Sequence, residues 1–161
     1  MMARSLCLAA GALLMMGCSS AASTNGHTEA EPASPQTLED ARALWQEQGV
    51  EDYSVTVQMT CYCPPDVVQP LQMQVRDEKV VSADGSQQPL ENLNEDDLRR
   101  MTIESLFRFI EDALDREAHV LEVSYDAHYG FPVRIKYDGH EMIADDERQY
   151  RLTDFKPGGT R

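Results

Sequence analysis

The chain has 161 residues, 42% of them hydrophobic and 26% charged, with 28 acidic against 14 basic residues and a formal net charge of −14. That length holds one ordinary domain with segments to spare. So acidic a balance lacks the basic footprint that nucleic acid or anionic lipid requires, and attracts instead a cation, a basic protein or a cell-wall amine.

The first residues, "MMARSLCLAAGALLMMGCSS", place Arg4 ahead of an eleven-residue run from Leu6 to Met16. That run is too short to span a bilayer, which takes about 20 residues, and suits the core of a secretory signal. The Gly17-Cys18 end resembles a bacterial lipobox, which implies a signal over 1–17, cleavage before Cys18 and acylation of its thiol. Met15 stands where such boxes usually carry Leu, with Leu14 one step back. The alternative is an ordinary signal cut near Ala21 or Ala22. Ser19 after the cysteine implies passage to the outer membrane, on its periplasmic face. Removing 1–17 leaves 13 basic and 28 acidic residues, a formal charge of −15. Residues 18–36 follow as a lipidated tether: rich in Ser, Ala, Pro and Thr, they cannot bury enough surface to offset their ordering entropy. Such a tether reaches roughly 23 Å on average.

Residues 37–161 read as a single domain. Thr37 is placed to cap a helix with Glu39 and Asp40 in its first turn, Leu38, Ala41 and Trp45 on one face, and Gly49 as a stop. "DYSVTVQMTCYC" alternates, with Tyr53, Val55, Val57, Met59 and Cys61 on one face, which predicts a half-buried strand. Leu71, Met73 and Val75 predict a second strand and Val80-Val81 a short third. Residues 82 to 100 read as a polar loop with one helical turn at "NEDDLRR". A second long helix starts at Thr102, with Ile103, Leu106, Phe107, Ile110 and Leu114 at helical spacing. Three strands close the domain, over Val120 to Tyr125, Pro132 to Tyr137 and Gln149 to Phe155.

The expected fold class is α+β, an antiparallel sheet with helices on one face. The order helix, three strands, helix, three strands also suggests a duplicated unit, with "VRDEKVVSADG" and "KYDGHEMIADD" matching at an offset of 61 residues.

Cys61 and Cys63 admit three readings: a disulfide, a metal clip or a redox pair. Residues two apart on a regular strand lie about 6.6 Å apart, and a disulfide needs Cβ atoms about 3.5–4.5 Å apart, so pairing requires the backbone to contract. Pro64-Pro65 ends the strand in any case and makes a turn here cheap. Closing so short a loop stabilises by roughly 1.6 kcal/mol before strain is subtracted, and export to an oxidising compartment favours pairing. A metal clip would need further ligands from His119, His128, His140, Met59 or Met73, none at a recognisable spacing. A redox pair would lack the Cys-x-x-Cys at a helix start. The disulfide is the reading adopted.

Trp45, Asp52-Tyr53-Ser54, Cys61 and Cys63, Thr102-Ile103, Leu106-Phe107, Tyr125-Asp126, Tyr129 to Pro132, Asp138 and Asp145-Asp146-Glu147 together resemble a family of bacterial lipoproteins and secreted proteins known only as a domain of unknown function. The resemblance covers nearly the whole domain, departs at the lipobox and at His128, and implies no activity.

Asp126 to Gly130 reads as a five-residue hairpin connection. Tyr125, Tyr129 and Phe131 beside it form either its aromatic support or a candidate binding surface. Asp138, Asp145, Asp146 and Glu147, with Glu141, crowd one connection and are the candidate calcium ligands, off the EF-hand spacing. Nucleophile elbows, zinc-protease motifs and phosphate-cradling glycine loops are absent from the sequence, so no catalytic residue and no cofactor is expected. The favoured reading is a non-enzymatic binding or accessory module in the cell envelope. Its expected contacts are the membrane, through its lipid anchor, and an envelope protein or cell-wall component. The alternatives are a calcium- or copper-binding envelope protein and an envelope hydrolase.

Overall fold

The structure is a computed structural model and describes residues 32–143 and 145–158. The expected signal, Cys18 and most of the expected tether lie outside the described residues. Ten elements follow in chain order: α1 (Leu38–Gln48), β1 (Asp52–Thr60), α2 (Pro65–Val68), β2 (Leu71–Arg76), β3 (Lys79–Gly85), α3 (Glu95–Arg99), α4 (Ile103–Asp115), β4 (Val120–Tyr125), β5 (Pro132–Asp138) and β6 (Arg148–Pro157). The strands form one antiparallel sheet in the order β3-β2-β1-β6-β5-β4. The α+β class is as expected. Among the described residues no helix is long and apolar enough to cross a membrane.

Both long helices begin and end by the chemistry their sequences carry. The Thr37 hydroxyl accepts from the Asp40 amide, and Gly49 closes α1 at φ 58°, a left-handed conformation that costs glycine little. Thr102 caps α4 through the Ser105 amide. Ala41 and Trp45 from α1 pack with Ile103, Leu106, Phe107 and Ile110 from α4 over Tyr53, Val55, Val57, Leu71, Met73, Val75, Ile135 and Leu152 of the sheet. Burial of each large apolar side chain contributes about 1.5–3 kcal/mol. The helical stripe differs from expectation at its end: Ala113 is buried, whereas Leu114 is 52% exposed.

The other departures lie between β1 and α4. β1 stops at Thr60, because Cys61 to Cys63 turn away and leave Tyr62 89% exposed. Pro64-Pro65 then opens the single turn α2, for which proline's fixed φ is suited. β3 is longer than Val80-Val81, running to Gly85, with a register shift opposite Gln74/Val75. α3 is the expected turn, closed by a reciprocal pair between Asn94 and Asp97.

The duplicated unit is not what the topology shows. Both three-strand meanders step across the sheet in the same direction, yet β1 and β4, being three antiparallel steps apart, run oppositely. Both helices cover the same face. Turning one half to align its strands reverses its step, so the halves have opposite hands and no rotation superimposes them. The matched segments differ as well: β3 in the first half corresponds to the connection before β6 in the second.

Candidate functional site

The β4–β5 hairpin uses its aromatic residues as support. The Asp126 carboxylate accepts from the His128 and Tyr129 amides at 2.9 and 2.7 Å, and Gly130, at φ 81°, donates its amide to the Asp126 carbonyl. Gly130 packs so closely on α1 that an added Cβ would overlap the Ala41 carbonyl. Phe131 is 3% exposed and Tyr125 7%. Trp45 is the hub of the cluster, edge-on to Tyr53, Phe131 and Phe155, and Tyr129 leans on Phe155 at 4.9 Å. Of the two readings, support fits Tyr125 and Phe131, which hold the hairpin to the core and are too buried to serve as a binding surface, and only part of Tyr129 faces outward.

Cys61 and Cys63 stand at disulfide distance, their Cα atoms 5.2 Å apart. The contraction from about 6.6 Å is taken up in the bends after Thr60. The pair lines a cleft with Met59, Val67, Met101 and Tyr150. Met73 is buried in the core instead, so the two thioethers do not share a site.

The acidic connection does not converge. Asp138 closes a turn by accepting from the His140 amide at 3.1 Å, while Asp145 and Glu147 are exposed. Asp146 turns back, one carboxylate oxygen close to Gly139 and the other buried without a partner among the described residues. Among the described residues no three His, Cys, Asp or Glu side chains are grouped to hold a metal ion. The reason is local: the residues are spread over a strand end and two separate turns.

A larger cleft lies elsewhere, of about 840 Å³ between α1, α4 and the β2–β3 turn. Trp45 and Phe107 contribute its apolar wall. At its edge the Arg42 guanidinium meets the Glu111 carboxylate at 3.0 and 3.3 Å and lies 5.8 Å from the Phe107 ring centre. That fork holds the Glu111 carboxyl below its usual range. Arg108 reaches Glu78 of the turn at 4.0 Å.

Within the cleft, Glu104 accepts a hydrogen bond from the Tyr53 hydroxyl at 3.0 Å. The same hydroxyl accepts from the Ile103 amide at 2.9 Å, one of the donors that the first turn of a helix leaves free. Burial, the main cause, raises the Glu104 carboxyl above its ordinary pKa, and raises the Tyr53 phenol far more. The phenol is thus a fixed tie between β1 and α4 rather than an acid in waiting. His128 and His140 are exposed in connections and do not line this cleft.

Sequence reasoning passed over Glu104, Arg108 and Glu111. Their one signal is spacing: 104, 107, 108 and 111 fall on a single helical edge beside the apolar stripe.

A family profile matches residues 37–157. The chain belongs to the family of unknown function DUF6174. The match starts at the cap of α1 and ends with β6, so the DUF6174 domain and the folded body coincide. Neither a curated protein nor a solved structure matches the chain. Of the motif residues named above, Trp45, Tyr53, Asp126, Gly130 and Phe131 all act in holding the DUF6174 domain together.

Proposed function

We propose that the chain is an envelope lipoprotein whose DUF6174 domain works as a non-enzymatic binding or accessory module. Residues 1–17 direct export, Cys18 carries the acyl chains, and residues 18–36 link lipid to domain on the periplasmic side of the outer membrane. The observation that carries the reading is the eleven-residue apolar run ending at Gly17-Cys18, followed by a polar segment that stops where the DUF6174 domain begins.

The geometry of the large cleft supports binding over catalysis. The partly buried Glu104 carboxyl and the buried Tyr53 phenol are engaged with each other, and at the rim Arg42 and Arg108 are engaged by Glu111 and Glu78. An apolar wall with ion-paired edges suits an envelope protein segment or a cell-wall component.

The test is fractionation of cells producing the whole chain or its Cys18→Ala variant. The parent is expected in the membrane fraction with its first 17 residues removed, and the variant is expected to leave that fraction. A parent chain that is soluble in the cytosol and retains Met1 to Gly17 contradicts the proposal.

A further inference from the structure

The helix-free face of the sheet carries a concavity of its own. It is a pocket of about 210 Å³ lined by Gln58, Thr60, Arg134, Gln149, Tyr150 and Arg151. Arg134 of β5 and Arg151 of β6 are direct cross-strand partners. Like charges placed so are destabilising, because their Cβ atoms stand about 4.5–5.5 Å apart on one face. Nothing in their own row offsets this. The row through the pair runs Gln58, Arg151, Arg134, Ser124 across four strands and contains no acid. The next row runs Thr60, Gln149, Lys136, Glu122, and its one acid is taken by Lys136 at 3.1 Å. Among the described residues neither Arg134 nor Arg151 forms an ion pair. This occurs in a chain with twice as many acids as bases, where a counter-charge is the easiest thing to supply.

We propose that this pocket binds a phosphate-class dianion. Two guanidiniums present forked donors suited to oxyanions. A single carboxylate would neutralise only one of them, whereas a dianion removes the repulsion between both. The Thr60 hydroxyl and Gln149 amide add neutral donors, and Gln58 is held by its bond to the Val68 carbonyl at 3.2 Å. A free phosphate and the phosphomonoester headgroup of phosphatidic acid share this chemistry. The net charge of the chain opposes approach to an anionic surface and favours the small ion. The inference stands apart from the tethering, since a chain in any compartment carries the same pocket.

The experiment titrates inorganic phosphate into the purified chain at constant ionic strength, with chloride as control, and follows the amide signals of Gln149, Arg134 and Arg151. Saturable shifts are expected with phosphate and not with chloride. Arg134→Gln and Arg151→Gln are each expected to weaken binding about tenfold or more, the effect of losing a charge-assisted contact. Without phosphate, both variants are expected to melt no lower than the parent, because each removes a like-charge contact. Sedimentation with vesicles containing phosphatidic acid against vesicles of phosphatidylcholine alone separates the sources: an Arg-dependent preference for the phosphomonoester vesicle assigns a headgroup phosphate, and its absence beside saturable free phosphate assigns the small ion. Non-saturable shifts with both phosphate and vesicles, or binding unchanged in both variants, overturn the proposal.

Discussion

Replacing Tyr53 by Phe removes one oxygen from the centre of the fold and isolates the tie between β1 and α4. Tyr53 is 3% exposed, so the ring's packing against Trp45 and Phe155 is kept and only the hydroxyl is lost. Ile103 is completely buried, and its amide then has no acceptor. An orphaned buried donor costs about 1–3 kcal/mol. Glu104 loses its donor too, but it is only partly buried and water can replace the phenol, which adds about 1 kcal/mol. Phe escapes the desolvation of a hydroxyl, which returns a similar amount. The net loss expected is about 2 kcal/mol, a fall in Tm of roughly 6–12 °C for a domain of this size. Thermal and urea unfolding of parent and Tyr53→Phe measure it, and amide exchange at Ile103 reports the site. In a double-mutant cycle Glu104→Gln is expected to cost less in the Phe background than in the parent. A variant that melts within about 2 °C of the parent, with Ile103 still protected, would refute the reasoning.

Gly130→Ala combines a left-handed φ with overlap on the Ala41 carbonyl, so a loss of at least about 2 kcal/mol is expected in urea unfolding. Gln69 is buried and donates to the Asp66 and Gln88 carbonyls while accepting from the Gln87 and Gln88 amides. Gln69→Leu strands those backbone groups and is expected to cost about 2–4 kcal/mol, with faster hydrogen exchange over 86–93. Asp66 nearby is held below the ordinary aspartate pKa by donors from Asn92, the backbone amide first and the side chain next. A lowered carboxyl contributes stability that is present above the unfolded value, about 3.9, and lost as pH falls through the folded one. Asp66→Asn is therefore expected to melt below the parent at neutral pH, with the difference shrinking toward pH 3, as differential scanning calorimetry can measure.

What was legible in the sequence were the elements whose side chains repeat with a period. The Tyr53-to-Met59 alternation and the 103/106/107/110 spacing report a face directly, and the caps at Thr37 and Thr102 mark where helices begin. β3 was underestimated because it is an edge strand whose continuation, Ser82-Ala83-Asp84, is polar and small; its pairing with β2 is a property of the sheet. α2 was hidden because Pro64-Pro65 reads as a stop for β1 before it reads as a helix start. The sites were less legible than the elements for the same reason. Arg134 and Arg151 each look like an outward residue on an alternating strand, and only the register makes them neighbours. Glu104 becomes notable only when Tyr53, 51 residues earlier, arrives beside it. The aromatic cluster shows the converse: a run of Tyr and Phe around a hairpin looks available, yet α1 covers it.

The account depends most on the chain being exported, so that Cys18 is acylated and the neighbouring Cys61 and Cys63 are joined. Intact mass of the chain purified from its native cells, alkylated with and without prior reduction, reads Cys18, Cys61 and Cys63 at once. The account predicts loss of residues 1–17, a fatty-acyl mass at Cys18, and alkylation of Cys61 and Cys63 only after reduction. A chain that keeps its first 17 residues, carries no acyl mass and is alkylated at both internal cysteines without reductant contradicts it.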